Sequence, residues 1–301
     1  MSAREPVLAV DVGGTTIKGA VVGADGAFLH THSRATPAAQ GADAVIAALL
    51  ELIAELRSAH AGPVAAVGVV VPGHVDGPGG RAIFSANLGF RDMPLREIVA
   101  RATGLPASLE HDVRAAGVAE DALGVTAGVQ DYVLAVIGTG IAAVLKTGGR
   151  PVVGAISLPG ELGHIPVWPG GELCSCGQRG CLERYSSAAA ISRRYAQRGG
   201  EAGLSAEQVL ARRAADHRAL RVWDEAVEAL ALAFTTCAYL LDPELIVIAG
   251  GLSAAGNELL TPVQEQLAKL VLWRPPPAVK VSPLGGRAGL LGAALLARQL
   301  V

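Results

Sequence analysis

Residues 161 to 183 read ELGHIPVWPGGELCSCGQRGCLE, and three of the four cysteines of the chain fall inside this stretch. Cys174, Cys176 and Cys181 form a C-x-C-x4-C cluster, and His164 lies ten residues before the first of them. Three thiolates and one imidazole form a tetrahedral ligand set that Zn2+ prefers. Glycines within the cluster allow the tight bend that would bring such close neighbours onto one ion. The stretch therefore predicts a zinc site.

The alternative interpretation of these cysteines is a run of buried or disulfide-paired thiols. Three cysteines cannot pair evenly within the cluster, and the fourth, Cys237, lies in an apolar stretch with helical spacing. Both observations favour metal binding over a disulfide framework.

Two carboxylates, Glu161 and Glu183, flank the cluster. A loop that is only held together by zinc does not need flanking acids, whereas a sugar site does, because carboxylates accept hydrogen bonds from several hydroxyls. The pattern E-x-G-H followed by C-x-C-G-x-x-G-C-x-E resembles the ROK family (repressors, open reading frames and sugar kinases). The resemblance implies that Glu161, His164 and Glu183 bind sugar, with one ring nitrogen of His164 on zinc. It also implies that the zinc is structural and positions these side chains.

The composition limits the class of protein. At 301 residues the chain is long enough for two domains, and its high content of apolar residues, glycine and alanine is typical of a close-packed α/β protein. The formal net charge of −2, without a basic block, argues against nucleic acid as a partner. No apolar run predicts a membrane span, and the N-terminal MSAREPVLAVDVGG lacks the core of a signal peptide. Reduced zinc-type cysteines then predict a cytoplasmic protein.

The N-terminal segment predicts a buried strand over 7–12, a glycine turn and a hairpin. The phrase DVGGTTIKGA at 11–20 resembles the first phosphate loop of the actin, hexokinase and Hsp70 fold. This resemblance implies that backbone N–H groups and hydroxyls face phosphate oxygens, while Asp11 orients Mg2+ through water. An ordinary hairpin is the alternative, and for Lys18 a plain strand-edge charge. The predicted nucleotide contacts here are Asp11, Gly13, Gly14, Thr15, Thr16 and Lys18.

Two later glycine turns continue the nucleotide pattern. Gly138-Thr139-Gly140 ends a predicted strand over 131–138 and resembles the second phosphate turn, although alanines follow where the family continues with glycine. Gly250-Gly251 ends a buried strand over 245–249 and resembles the adenosine loop. Each turn alone is a weak signal, but the three occur in the family's order and together imply ATP and Mg2+.

The segment EHDVRAA at 110–116 stands where the family carries E-N-D-x-x-A-A. The resemblance carries the catalytic base of the family over to Asp112, and His111 replaces an asparagine that binds sugar. A helix N-cap is the alternative role of Asp112, and both roles can hold together, because an aspartate at a helix N-terminus stays ionised in a fixed orientation. Asn87 begins the N-L-G-aromatic segment 87–90 and is a further predicted sugar contact, with a plain turn as the alternative.

The implied fold is α/β and two-lobed, of the actin/hexokinase/Hsp70 type (ribonuclease-H-like), with an interlobe cleft for ATP and sugar. We predict a smaller lobe of residues 1–113 plus 289–301, and a larger lobe of residues 114–288 that carries the zinc knuckle. Apolar spacing predicts helices over 38–60, 94–103, 113–123, 186–197, 204–213, 216–241 and 289–300, with further strands over 64–71, 106–110 and 278–281.

The predicted reaction is phosphoryl transfer from Mg-ATP to the C6 hydroxyl of a hexose, most simply glucose. An N-acetylhexosamine, fructose or allose is the alternative substrate. The family generally forms homodimers or homotetramers, so a homo-oligomer is expected.

A sugar-responsive repressor is the competing class of function, because the family contains repressors. These carry a helix-turn-helix ahead of the phosphate loop, and Asp11 arrives too early for one. A sugar sensor without catalysis is also open, but Asp112 and the three nucleotide turns favour the enzyme.

Overall fold

The computed structural model describes residues 5–301, so residues 1–4 of the predicted smaller lobe lie outside the described part. The described residues form two compact units: those up to Ala122 together with Arg287–Val301, and Leu123–Gly286. The predicted lobe boundary at residues 113 and 114 falls near the start of a helix whose buried residues begin at Val113. The observed boundary lies at the end of that helix.

The elements of the first unit follow one another in this order: β1 (Val7–Val12), β2 (Thr16–Val22), β3 (Phe28–Ala35), α1 (Ala42–Ala59), β4 (Val67–Val71), β5 (His74–Asp76), β6 (Arg81–Ser85), β7 (Phe90–Met93), α2 (Leu95–Thr103), β8 (Ala107–His111) and α3 (Asp112–Leu123). The main sheet has the strand order β3-β2-β1-β4-β8. Strands β1, β4 and β8 run parallel, so their carboxyl ends share one edge of the sheet.

The second unit contains β9 (Tyr132–Ile137), β10 (Ile141–Thr147), β11 (Arg150–Pro151), α4 (Glu183–Ser186), α5 (Ala188–Gln197), α6 (Ala206–Arg212), α7 (His217–Leu241), β12 (Leu245–Ala249), α8 (Asn257–Leu270) and β13 (Ala278–Val281). Its sheet has the order β11-β10-β9-β12-β13. The chain then returns to the first unit as α9 (Ala288–Arg298).

Strand β1 is buried on both faces, which explains its continuous apolar run. Leu8, Val10 and Val12 pack in the same cluster as the apolar face of α1, whereas Val7 and Ala9 pack with α9. A strand covered by helices on both sides cannot show the apolar–polar alternation of a half-exposed strand. In the second unit, α7 and α8 share a core with β9 and β12.

Two parts of the fold differ from the expectations. Residues 72–76 and 85–90 were predicted as loops. Residues 72–73 and 86–89 are bend and turn as expected, but the adjoining β5, β6 and β7 form a three-stranded antiparallel sheet. These strands are only three to five residues long, too short for a clear periodicity. Helix α8 was not predicted at all. None of the helices in the described range 5–301 is long and apolar enough to cross a membrane.

Candidate active site and zinc centre

The four predicted zinc ligands lie together in the second unit. The ligand atoms of His164, Cys174, Cys176 and Cys181 all fall within 4.8 Å of one another. The Sγ atoms of Cys176 and Cys181 are 3.7 Å apart, and Nδ1 of His164 is 3.7 Å from Sγ of Cys174. A tetrahedral Zn2+ with Zn–S bonds of about 2.3 Å has ligand–ligand edges of about 3.8 Å. The separations therefore fit a zinc ion held by these four residues.

Short backbone contacts shape this knuckle, which comprises residues 161–183. The Cys174 N–H donates to the Gln178 carbonyl at 2.8 Å, which closes the turn between the cysteines. Gly180 has a φ of +82°, and a Cβ there would lie 1.8 Å from the Trp168 carbonyl oxygen. Only glycine fits this position, so the knuckle depends on it for its path.

The thiols of the knuckle have unequal environments. Burial raises the pKa of Cys181 to about 12, whereas a hydrogen bond from the backbone of Gln178 lowers the pKa of Cys176, which is exposed. A thiolate at the buried Cys181 position therefore needs a neighbouring cation. Zn2+ would supply that charge, because a coordinating thiol is deprotonated.

His164 faces the cysteines with one ring nitrogen and Glu161 with the other. Nδ1 lies toward Cys174, and Nε2 is 3.9 Å from Oε2 of Glu161. The ring thus directs one nitrogen to the thiols and the other away from them; that the second nitrogen binds a sugar hydroxyl stays a prediction. Glu161 and His164 are held at this spacing by a short 3-10 turn, Leu162–His164.

Glu183, predicted to bind sugar, connects the knuckle to the turn at Gly138–Gly140, the predicted second phosphate turn. It is the first residue of α4, and its Oε2 accepts a hydrogen bond from the Ile141 N–H at 3.0 Å. A Cβ on Gly140 would lie 2.6 Å from the same oxygen. The two ends of this contact are 42 residues apart, and sequence reasoning did not find it.

The second and third turns lie side by side at the carboxyl ends of the parallel strands β9 and β12. Gly250 has a φ of +81°, and a Cβ there would lie 2.5 Å from the Ile137 carbonyl, directly before Gly138. Thr139, Gly140 and Gly251 are exposed. Exposed backbone N–H groups at adjacent turns are suited to binding phosphate oxygens.

A cavity of about 460 Å³ opens beside the third turn and was not predicted. It lies between the Gly251 turn, α6 and the start of α8, so it depends on the helix that the sequence analysis missed. Its walls are mostly apolar, with a few polar groups, as in many sites for small molecules. Lining residues include Ala188, Ser205, Leu210, Gly251, Ala255 and Glu258.

In the first unit, the turn after β1 is fixed by its own backbone and by Thr36. The Gly13 N–H donates to the Thr16 carbonyl at 3.0 Å, and the Thr36 hydroxyl donates to the Gly13 carbonyl at 2.6 Å. Thr36 was not predicted, because it follows β3 and lies 23 residues from Gly13 along the chain. A Cβ on Gly14 would lie 3.1 Å from Cβ of Asn87, so the predicted sugar contact adjoins the turn. Thr15 is exposed beside them.

Asp11 and Asp112 lie close enough to influence each other, because β1 and β8 end at the same edge of the sheet. Burial, and after it the charge of Asp112, raise the pKa of Asp11 to about 6, while Lys18 opposes the shift. Lys18 is exposed and pairs with Asp11 in the β1–β2 register. Two neighbouring carboxylates of this kind fit a divalent cation such as Mg2+.

Asp112 is the first residue of α3 and has one oxygen fixed. Its Oδ1 accepts from the Val113 N–H at 2.8 Å and lies 3.4 Å from Nε2 of His111. An N-cap usually accepts from an N–H two or three residues on, so this contact differs from that alternative. Oδ2 has no hydrogen-bond partner among residues 5–301. Arg114 donates to Glu110, four residues before it, and Oε1 of Glu110 also accepts from the His111 N–H at 2.7 Å.

The structure thus divides the predicted site residues between the two units. The first unit holds Asp11, Gly13, Gly14, Thr15, Thr16, Lys18, Asn87, His111 and Asp112, and the second holds Gly138, Thr139, Gly140, Glu161, His164, Cys174, Cys176, Cys181, Glu183, Gly250 and Gly251.

Comparison with known proteins gives consistent matches over nearly the whole chain. The family model described as ROK family matches residues 7–300. A glucokinase of Thermotoga maritima is 33% identical and an N-acetylmannosamine kinase of Escherichia fergusonii is 31% identical, with at least 97% of each chain covered in both cases. The crystal structure of a ROK family glucokinase from Streptomyces griseus with glucose and AMPPNP is 32% identical, with a TM-score of 0.86 and coverage of 98% of this chain and 99% of that one.

These matches confirm the predicted α/β fold of the actin/hexokinase type. They also confirm the family that the motifs of the knuckle indicated. The chain belongs to the ROK family.

Proposed function

We propose that this ROK-family chain is an ATP-dependent glucokinase, which transfers the terminal phosphoryl group of ATP to the C6 hydroxyl of glucose. The observation that carries the proposal is the carboxylate of Asp112, which is fixed through Oδ1 and open at Oδ2 beside Asp11. The sugar-kinase class is supported by the glucokinase and N-acetylmannosamine kinase relatives. Glucose is supported by the ligands of the Streptomyces griseus structure.

Asp112 acts as the base in this proposal. Its Oδ2 accepts the proton of the sugar hydroxyl, while the Val113 N–H holds Oδ1 in place. Phosphoryl transfer has a loose transition state, so the carboxylate needs to orient the hydroxyl more than to remove its proton early. A strongly basic group is therefore unnecessary.

ATP supplies the phosphoryl group, and Mg2+ neutralises charge on its phosphate oxygens. The part of the chain is to bind and orient. Backbone N–H groups of the turns at Gly13, Gly138 and Gly250 bind the nucleotide, and the ionised Asp11 orients the cation through water. The cavity beside Gly251 has room for the adenine base.

The sugar is bound by side chains that both donate and accept. Asn87, His111, Glu161, His164 and Glu183 are the proposed contacts, in addition to Asp112. Zn2+ would be structural in this proposal: Nδ1 of His164 would help to hold it, and this would keep Nε2 on the side of Glu161. Through Glu183 the same knuckle also supports the second phosphate turn.

An N-acetylmannosamine kinase is the second candidate, favoured by a relative at 31% identity. The deciding experiment is a coupled assay with ATP that compares kcat/KM for glucose, N-acetylmannosamine, fructose and allose. We expect glucose to give the highest value. A higher value for another sugar would replace glucose but retain the kinase, whereas saturable sugar binding without turnover would support a sensor.

We further propose a homodimer or homotetramer that works in the cytoplasm. A zinc site with three thiolates requires reduced cysteines, and all four cysteines of the described chain are free. Exposed apolar side chains near the end of α7, Tyr239 and Leu240, lie with Leu272 and Trp273 on the second unit. Such a surface is suited to contact with another protein, here a second copy.

A further inference from the structure

A group of charged side chains lies next to the zinc knuckle and has no role in the proposed reaction. It is termed the arginine cluster here and consists of Arg184, Arg193, Arg194 and Arg198 with Glu172 and Glu225. Glu172 belongs to the knuckle itself, two residues before Cys174. The arginines come from α4, from α5 and, for Arg198, from the residue that directly follows α5.

The two carboxylates occupy only part of the donor capacity of the four guanidinium groups. Glu172 accepts from Nη2 of Arg193 and, at 2.8 Å, from Nε of Arg194, and its Oε2 is 3.6 Å from Nη2 of Arg184. Glu225 accepts from Nη2 of Arg194 at 2.6 Å and from Nη2 of Arg198 at 2.8 Å. Arg194 therefore bridges both carboxylates.

Each of the four arginines keeps one buried nitrogen without a partner. These atoms are Nε of Arg184 and Arg193 and Nη1 of Arg194 and Arg198, none of which has a hydrogen-bond partner among residues 5–301. The side chain of Arg194 is only 7% exposed. Buried donors of charged groups are normally satisfied, because leaving them unpaired is costly.

The net charge of the cluster also favours a bound anion. Four guanidinium groups face two carboxylates, which leaves an excess of two positive charges in a partly desolvated place. Arg184, Arg193 and Arg198 have side chains 27–31% exposed, so part of each side chain reaches solvent, while the unpartnered nitrogens lie beneath that surface. The guanidinium group presents adjacent donors in a planar fork that matches the oxygens of phosphate.

We propose that the arginine cluster binds a doubly charged tetrahedral oxyanion, either inorganic phosphate or the phosphate group of an ester. The anion would accept from unpartnered nitrogens of the cluster and balance the two excess charges. Because Glu172 ties the cluster to the knuckle, the bound anion would also stabilise the segment that carries the zinc ligands.

The test uses the zinc-loaded full chain with saturating AMPPNP, so that the nucleotide turns are occupied. Its Tm is followed while inorganic phosphate replaces chloride at constant ionic strength. We expect a saturable rise of roughly 3 °C when phosphate is about tenfold above its Kd. A parallel titration with glucose 6-phosphate distinguishes the two sources, because an ester bound at the cluster must depend on the same arginines.

Four variants locate the effect. Arg184→Gln and Arg193→Gln should each weaken phosphate binding about tenfold, because each removes a charged donor. Glu225→Gln should tighten it several-fold, since one competing negative charge is lost. Arg212→Gln, whose guanidinium pairs with Glu201 outside the cluster, is the matched control and should respond like the native chain.

If the arginine variants fail to fold, line broadening of the 31P signal of phosphate is compared between the native chain and Glu225→Gln. A saturable response that these substitutions change in the stated directions supports the site. A native chain without a saturable response, or an equal response in native, Arg184→Gln and Glu225→Gln proteins, overturns the proposal. Neither the supporting nor the contradicting outcome bears on the proposed kinase function, because sugar phosphorylation is measured in a separate assay.

Discussion

Asp112 is the residue on which the proposed chemistry depends most directly. The Asp112→Asn variant keeps the shape of the side chain and its contact with the Val113 N–H, so fold and sugar binding should persist. An amide cannot take the hydroxyl proton, and turnover should fall by on the order of a hundredfold or more. The measurements are kcat by coupled assay and sugar affinity by calorimetry. Near-native turnover would show that Asp112 only begins the helix.

The ionised carboxylate of Asp11 lowers the free energy of unfolding, because the side chain is buried. Its pKa is raised from 3.8 to about 6, so ionised Asp11 destabilises the folded chain fully above pH 6, and the penalty disappears as the pH falls below 3.8. Asp11→Asn should therefore raise the free energy of unfolding at neutral pH, by up to about 3 kcal/mol. Below the unfolded-state pKa the gain should vanish.

The same variant should be nearly inactive, because an amide orients the magnesium ion poorly. The native activity should also fall as the pH drops through about 6, where free Asp11 takes up a proton. Thermal unfolding across pH, together with kcat, checks both statements. A variant that is no more stable than the native chain at neutral pH would contradict the burial argument.

His111 marks the departure of this chain from its family. The ring is 15% exposed and its Nε2 lies 3.4 Å from the Asp112 carboxylate. An imidazole has its donor and acceptor on opposite edges, whereas an asparagine amide presents both to neighbouring hydroxyls. His111→Asn should change the ratio of kcat/KM between hexose epimers by roughly tenfold. His60→Asn, at the half-buried C-cap of α1 and not among the predicted sugar contacts, is the control, and identical sugar profiles for all three proteins would exclude His111 from the sugar site.

The residues of the site were predictable where the signal lies within one short segment. The zinc ligands and the EHD triplet are of this kind, because spacing along the chain limits their chemistry. The contacts of Glu183 with Ile141 and of Thr36 with Gly13 join distant segments, and a single sequence does not contain that pairing. Glu110 and Arg114 were missed for another reason: an ordinary i,i+4 ion pair has no pattern that marks a site.

Loss of the zinc knuckle should affect metal binding, stability and sugar affinity together. Purified protein should contain about one zinc per chain. Cys176→Ser should release the metal and reduce both stability and sugar affinity, because Glu161, His164 and Glu183 belong to the same segment. Metal content by mass spectrometry and sugar affinity by calorimetry are the measurements. Cys237→Ala should retain the zinc, since Cys237 is not among the four ligands. Freshly prepared, active protein without zinc would contradict the assignment.

Helix α8 shows why an element can escape prediction. Pro262 stands inside it and lacks the N–H that would reach the Glu258 carbonyl, so the sequence favours a break there. In the structure that carbonyl accepts from Nε1 of Trp223 at 3.2 Å instead. The tertiary contact compensates for the missing bond, and α8 then packs with α7 in the core of the second unit. A partner 35 residues away is invisible to local propensity.

The α/β architecture of the molecule was easier to predict from the sequence than the residue at which the first unit ends. The order of three glycine turns, each after a buried strand, indicated two similar α/β halves, and the parallel pairs β1–β4 and β9–β12 agree with it. The end of the first unit could not be predicted from the sequence, because α3 has buried residues both before and after the predicted boundary between residues 113 and 114. Where a continuous helix leaves one core depends on packing that one sequence does not specify.

The assembly of the molecule can be tested through its exposed apolar surface. Leu240, Leu272 and Trp273 are each more than 70% exposed, and Trp273 lies beside Tyr239 with ring centroids 5.9 Å apart. Light scattering of the native chain should give a dimer or tetramer. Trp273→Glu should shift it toward monomer, because a charge cannot be buried unpaired in an apolar contact.

Leu123→Glu is the matched control for that experiment, since Leu123 is also exposed but lies at the end of α3. It should assemble like the native chain, because the substitution adds the same charge away from the proposed surface. If the native chain is monomeric at micromolar concentration, or if Trp273→Glu assembles unchanged, the four apolar residues are not a contact between copies. The monomeric Trp273→Glu protein should still bind zinc, because the knuckle draws all four ligands from one chain.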